Sequence, residues 1–144
     1  MPTTPTMTKS NSKNTYTYAL GRRKSAVATV KLFAGKSGES QVNGQKAEAY
    51  FVGEHNKIIS EKPFVVTSTV GKYYYQAKIV GGGKNGQLDA LVLAISRALK
   101  KIDEAAYKPL LRAAGFLTVD SRVRERRMVG TGGKARRQKQ SPKR

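Results

Sequence analysis

The chain has no cysteine. A disulfide frame and a Cys-based metal site are therefore excluded. Histidine is nearly absent as well: His55 is the only one, and it stands in a polar stretch. An acid–base dyad or a metal site needs more ligands than one imidazole with Glu54 and Glu61 nearby. Long apolar runs are missing too. The longest, Ala90–Ile95, is far shorter than the roughly 20 residues that cross a bilayer. No apolar stretch of a signal peptide is visible near the start. Acidic side chains are scarce: 9 Asp+Glu stand against 28 Lys+Arg, for a formal net charge of +19, and the first acid is Glu39. A compact chain with that charge repels itself, so a partner of opposite charge is expected. These absences point away from an enzyme, a cofactor, a small-molecule substrate and a membrane, and toward a polyanion.

What is present is unevenly placed. The length of 144 residues suits one domain with tails. Apolar residues make up 38% and charged residues 26%, which reads as polar tails diluting an ordinary core. Residues 121–144 hold 10 Lys+Arg and a single acid, Glu125, so this last sixth carries almost half of the net charge. The closing stretch KARRQKQSPKR, Lys134–Arg144, has six cations, no acid and no large apolar side chain. It has nothing to bury against the body of the protein. The expected division is a disordered lead over 1–14, rich in Thr, Ser and Pro, a globular RNA-binding domain over 15–120, and an extended basic tail over 121–144. Fully extended, such a tail reaches at most about 80 Å.

The apolar periodicity sets the expected elements. TYTYAL (15–20) and SAVATVKLF (25–33) alternate as strands, with GRRK (21–24) read as the turn between them. Gln41–Asn43 is expected as a short strand ended by the turn pair Asn43-Gly44. Residues 47–51 and 55–62 are expected as short helical turns, closed by Pro63, after which 64–70 and 72–80 read as strands. GGGKNG (81–86) breaks the pattern. From Gln87 to Ile102 the period becomes 3.6: Leu88, Leu91, Val92, Ile95, Leu99 and Ile102 fall on one helical face. Asp103 is placed to cap a following turn. Pro109 is placed in the first turn of a short helix that Gly115 ends. Strands first and helices after indicate an α+β fold: a sheet of about four strands with helices on one face.

Two groups of residues carry candidate chemistry. Gly81–Gly86 matches the spacing of a dinucleotide loop, but Asp103 heads a helical segment and not the strand such a site requires. The simpler reading is a strand-to-helix turn whose N–H groups and dipole suit a nucleic-acid phosphate, with Lys84 adding charge. A tight turn using glycine for steric reasons stays open beside it. The second group is basic: Arg22, Arg23 and Lys24, then Arg122, Arg124, Arg126 and Arg127, then the tail. Arginine outnumbers lysine by six to one over 121–137. Its planar fork grips phosphate and stacks on bases. A membrane peptide would interleave large apolar residues, and the tail from Thr131 has none. A nucleotide-dependent enzyme and a free RNA chaperone are the rival readings.

YALGRRKSAVATVKL (18–32), VGGGKNGQLDAL (80–91), ISRAL (95–99), AAGFLTVDSRVRERR (113–127) and GKARRQKQSPKR (133–144) together resemble the bacterial small-subunit ribosomal protein nine family, in order and over nearly the whole chain after residue 15. The resemblance implies the fold of the second domain of ribosomal protein five, with a left-handed βαβ crossover, a rare hand. It implies a structural role in the head of the small ribosomal subunit, in the cytoplasm, bound to small-subunit rRNA and beside other head proteins. Arg22, Arg23, Lys24, Lys84, Arg97, Arg122, Arg124, Arg126, Arg127, Lys134, Arg136, Arg137 and Lys139 are the implied rRNA-binding residues. Lys143 and Arg144 are implied to contact the anticodon stem-loop of P-site tRNA. The chain departs from the family's usual Gln-Phe-Ser-Lys-Arg ending: it reads Gln140-Ser141-Pro142-Lys143-Arg144, without the aromatic.

Overall fold

Alternation of small apolar and polar residues produces the sheet that organises the molecule. The computed structural model describes residues 16–35, 38–127 and 129. The expected lead (1–14) and the tail from Gly130 onward lie outside the described residues. Strand β1 (Tyr16–Arg23) pairs antiparallel with β2 (Ala26–Ala34), and β2 pairs antiparallel with β5 (Tyr73–Val80). Two short strands, β3 (Gln41–Val42) and β4 (Gln45–Lys46), complete a five-stranded sheet in the order β1-β2-β5-β3-β4. The expected count of about four is short by β4. That strand is only two residues long, beyond the Asn43-Gly44 turn, and carries no alternation of its own. Asn43 and Gly44 both take positive φ, 51° and 80°, as a two-residue hairpin of the I′ type demands.

β3 and β5 run parallel. The chain between them passes through β4 and the helices α1 (Ala47–Tyr50) and α2 (Glu54–Val66). Helix α2 overturns two expectations. Pro63 does not end it, and Phe64–Val66 are helix, not strand. Burial decides this: Ser60, Pro63, Phe64 and Thr67 are buried at i, i+3, i+4 and i+7, one helical face. Thr67 closes the helix, its hydroxyl donating to the Pro63 carbonyl at 2.9 Å. The β-prone sequence VVTSTV is overridden by the packing of that face.

Helix α3 (Lys84–Ile102) follows β5, and α4 (Glu104–Ala113) follows α3. The helix expected from the 3.6 period is present and starts three residues earlier, at Lys84. It touches β1, β2, β5, α2 and α4, so its burial is wider than one stripe. Ala90, Leu93, Ala94, Ser96 and Ala98 are buried along with Leu88, Leu91, Val92, Ile95 and Leu99, whereas Ile102 is 38% exposed. Asp103 caps α4 as expected, its Oδ1 accepting from the Ala106 N–H at 3.0 Å. Pro109 corrects a boundary. It sits inside α4, not in a first turn. Gly115 ends the helix at φ 76°, its N–H donating to the Arg112 carbonyl while Phe116 N–H donates to Leu111. This is a Schellman closure, and Phe116 packs on the core that contains Leu111.

The stretch GRRK also differs from expectation. Gly21, Arg22 and Arg23 belong to β1, and the turn is Lys24-Ser25, with Lys24 at φ 54°. Gly21 is required by packing, not by a turn. A Cβ there would run into the Ala90 carbonyl and lie 2.6 Å from the Ala94 backbone nitrogen. A glycine facing an alanine stripe lets strand and helix approach closely, and that approach anchors the β1 end of the sheet.

Candidate nucleic-acid interface

The loop between β5 and α3 lies against the β1–β2 turn because it has no side chains there. Gly81 and Gly82 hold φ of 76° and 66°. A Cβ on Gly81 would sit 2.5 Å from the Ser25 carbonyl, and one on Gly82 2.9 Å from the Ala26 Cβ. The two loops together form a recess of about 300 Å³, lined among others by Arg23, Lys24, Ser25, Gly83, Lys84 and Asn85. Gly83 is the N-cap of α3 and offers no side-chain cap. The first N–H groups of a 19-residue helix therefore open on this recess without a capping side chain. The helix dipole and the cations of Lys24 and Lys84 favour an anion in it. Lys24, Lys84 and the Gly81–Gly86 backbone, singled out separately in the sequence, are brought together here.

A side-chain network holds the loop in place. Gln87 Nε2 donates to the Gly81 carbonyl at 3.0 Å, and the Tyr50 hydroxyl donates to Gln87 Oε1 at 2.9 Å. Lys84 Nζ donates to the Tyr50 carbonyl at 3.3 Å and stands 3.4 Å from the centre of the Tyr50 ring. This cation–π contact keeps the ammonium at the loop without a carboxylate to neutralise it. Asn43 ties the neighbouring strand in. Its Oδ1 accepts from Ile79 N–H at 2.8 Å, and its Nδ2 donates to the Ile79 carbonyl at 3.0 Å. Tyr50, Gln87 and Asn43 were not legible as site residues. Nothing in their local sequence distinguishes them from a helix-turn aromatic, a helix-start amide and a turn asparagine.

Arg23 has a different role from its neighbours. Its side chain is 15% exposed and lies 3.1 Å from Asp120 Oδ2 and 3.7 Å from Asp89 Oδ2. Its Nη1 donates to the Arg122 carbonyl at 2.8 Å. Arg23 thus clasps the segment after α4 onto the end of β1. Asp120 is the centre of the clasp. The Arg122 side chain donates to it from Nε and Nη2, the latter at 2.7 Å, and the Arg122 N–H donates at 3.0 Å. These bonds, with Arg23 adding its charge, hold the Asp120 carboxyl well below the usual carboxylate range. Arg122 remains 86% exposed despite the bidentate pair. Arg124, Arg126 and Arg127 are exposed and have no ion-pair partner among the described residues.

Arg97 lies apart from the recess. It donates to the Leu20 carbonyl at 2.8 Å, and Lys101 donates to the Tyr18 carbonyl at 2.7 Å. Both seal the outer edge of β1, a row of backbone groups that would otherwise invite pairing. Arg22 is exposed on β1 and borders a groove of about 320 Å³ shared with Lys62, Asp89 and Asp120. Lys134, Arg136, Arg137, Lys139, Lys143 and Arg144 lie outside the described residues.

The dinucleotide reading of the glycine loop does not fit this topology. α3 leads into α4, not into a parallel strand that could carry a ribose-binding acid. The description "Ribosomal protein S9/S16" matches residues 21–144. The chain belongs to the ribosomal protein S9 family. It is similar to the small ribosomal subunit protein uS9 of Leifsonia xyli subsp. xyli (strain CTCB07), 47% identical over 127 residues that cover 88% of this chain and 74% of that protein. It is also similar to the small ribosomal subunit protein uS9 of Cutibacterium acnes (strain DSM 16379 / KPA171202), at 45% identity, covering 88% and 72%. The S9 family is a structural protein family of the small ribosomal subunit and not an enzyme family. RNA binding, translation and a place in the ribosome, cytoplasmic in bacteria, follow from membership.

Proposed function

We propose that this protein binds small-subunit rRNA in the head of the subunit through the recess between the β1–β2 turn and the start of α3. The observation that carries this is the convergence of Lys24, Lys84 and an uncapped 19-residue helix start on one glycine-lined hollow. Phosphate is the anion that suits it, because backbone N–H groups and two unneutralised lysines contact charge without reading sequence. Arg122, Arg124, Arg126 and Arg127 continue the cationic track away from the recess. Arg23 and Asp120 fix where that track begins.

The tail extends the function to a second partner. Lys134, Arg136, Arg137 and Lys139 neutralise packed rRNA phosphates, and Lys143 and Arg144 meet the anticodon stem-loop of P-site tRNA. The support is the acid-free, core-free composition of Lys134–Arg144 together with the family to which the chain belongs. Removing Lys143 and Arg144 is expected to weaken P-site tRNA binding by about 1–3 kcal/mol, the worth of a charge-assisted contact, while subunits still assemble. Filter binding of tRNA to subunits with and without the two residues measures this. Equal affinity would refute the tRNA contact.

A further inference from the structure

The helices cover one face of the sheet, and the other face carries aromatic rings interleaved with lysines. Strand register places them in rows. Tyr16 lies opposite Phe33, and Phe33 opposite Tyr74; Tyr18 lies opposite Lys31, and Lys31 opposite Gln76; Leu20 lies opposite Thr29, and Thr29 opposite Lys78. Tyr16 and Tyr18 are 46% and 48% exposed. Phe33 and Tyr74 stack with ring centres 5.1 Å apart, Tyr16 leans on Phe33 at 5.6 Å, and Lys31 Nζ lies 5.0 Å from the Tyr16 ring. Beside these rows a shallow hollow of about 780 Å³ opens between Tyr18, Lys31, Gln41, Gln76 and Lys78. No acidic side chain stands in these rows among the described residues.

We propose that this open sheet face is a stacking platform for unpaired bases of RNA, separate from the phosphate recess at the start of α3. Exposed tyrosines offer flat rings to bases of any identity, while flanking lysines hold the backbone that joins those bases. The charge favours RNA over protein. Lysine is depleted at the centre of protein–protein interfaces, yet Lys31 stands on β2 between β1 and β5, opposite Tyr18 and with its ammonium 5.0 Å from the Tyr16 ring. The rows are also bounded at the side: Arg97 and Lys101 seal the outer edge of β1, and the β1–β2 ladder sets the register. The proposal rests on the reading that the protein binds rRNA and adds a second, base-contacting surface to it.

The test uses the full chain and a single-stranded oligouridine of about ten nucleotides, a length within the usual site size for such platforms. Tyr18→Leu is expected to lower affinity by about 5- to 150-fold, and Tyr18→Phe to leave it near wild type, because stacking needs the ring and not the hydroxyl. Lys31→Met with Lys78→Met is expected to make the slope of log affinity against log salt shallower by about 1.4, at about 0.7 per lost contact. Thermal unfolding of Tyr18→Leu close to wild type confirms that the fold persists. In assembled subunits, zero-length photocrosslinking is expected to join Tyr16 or Tyr18 to rRNA. Equal oligouridine affinity for wild type and Tyr18→Leu overturns the platform, as do crosslinks from this face to a protein. Loss of affinity in Lys24→Ala with Lys84→Ala, alongside insensitivity at Tyr18, would leave the recess standing and remove only the platform.

Discussion

At the scale of single residues, close approach and burial do most of the work. Gly21 is the sharpest case. Its missing Cβ is the space that α3 occupies, and the atoms it would meet are backbone atoms of Ala90 and Ala94, which cannot swing aside. Gly21→Ala is expected to destabilise the protein by about 1–3 kcal/mol. Urea unfolding should show the midpoint falling with little change of slope. Tyr75 gives a pH signature. It is buried and stacks on Phe64, and burial pushes its phenol from 10.0 up to about 12. The folded state therefore keeps a proton that the unfolded chain has lost between those values. Stability from this group is complete below pH 10 and is lost as pH rises toward 12, by about 2–3 kcal/mol at about 1.4 per unit. Tyr75→Phe should flatten that part of the alkaline unfolding curve; a curve as steep as wild type would rule Tyr75 out as its source.

At the scale of elements, two junctions decide what the surface can do. One is the meeting of the β1–β2 turn with the start of α3, held by Gly81, Gly82, Gln87 and Tyr50. The other is the clasp of Arg23, Asp120 and Arg122. The clasp is mostly exposed on the Arg122 side, so its worth lies in direction more than in global stability. Asp120→Asn removes the charge that both arginines share. Amide hydrogen exchange over residues 118–123 is expected to speed up several-fold, while the global unfolding midpoint stays nearly constant. No change in exchange there would mean that the Schellman closure at Gly115 fixes the segment without the clasp. Periodicity in the sequence reveals β1, β2, β5 and α3, because each buries a regular face. Of α2 only residues 55–62 are expected, as helical turns, and β4 is not revealed. α2 contains Pro63 and a β-prone end, and only the buried face of Ser60, Pro63, Phe64 and Thr67 makes it helical. Of the candidate site, Lys24, Lys84 and the glycine loop were legible, but their meeting was not, because the turn and the loop are about 60 residues apart.

At the scale of the whole molecule, charge is segregated. Four of the nine acids, Glu39, Glu48, Glu54 and Glu61, fall between the end of β2 and the end of α2, and ten of the 28 cations fall after residue 120. A large share of the salt dependence of polyanion binding is therefore expected to come from the C-terminal part. Ending the chain after Arg127 removes six cations. Four of them, Lys134, Arg136, Arg137 and Lys139, are assigned to rRNA, so the slope of log affinity for rRNA against log salt is expected to become shallower by about 3 to 4, at about 0.7–0.9 per phosphate contact. Titrations at several salt concentrations measure it, and an unchanged slope would mean that these four cations do not meet rRNA phosphate.

By itself the sequence determined the α+β class, the long helix, the cationic tail and, through its motifs, the family. Those are properties of composition and of local period, and they survive without knowing what lies across the fold. Only the tertiary structure decided that Gly21 serves packing, that Arg23 and Arg97 bond to distant parts of the chain, that Lys24 and Lys84 border one recess, and that the tyrosines of β1 look outward. These depend on which distant backbone comes within a few ångströms, and pairing between strands and helices far apart in the chain is what sets that.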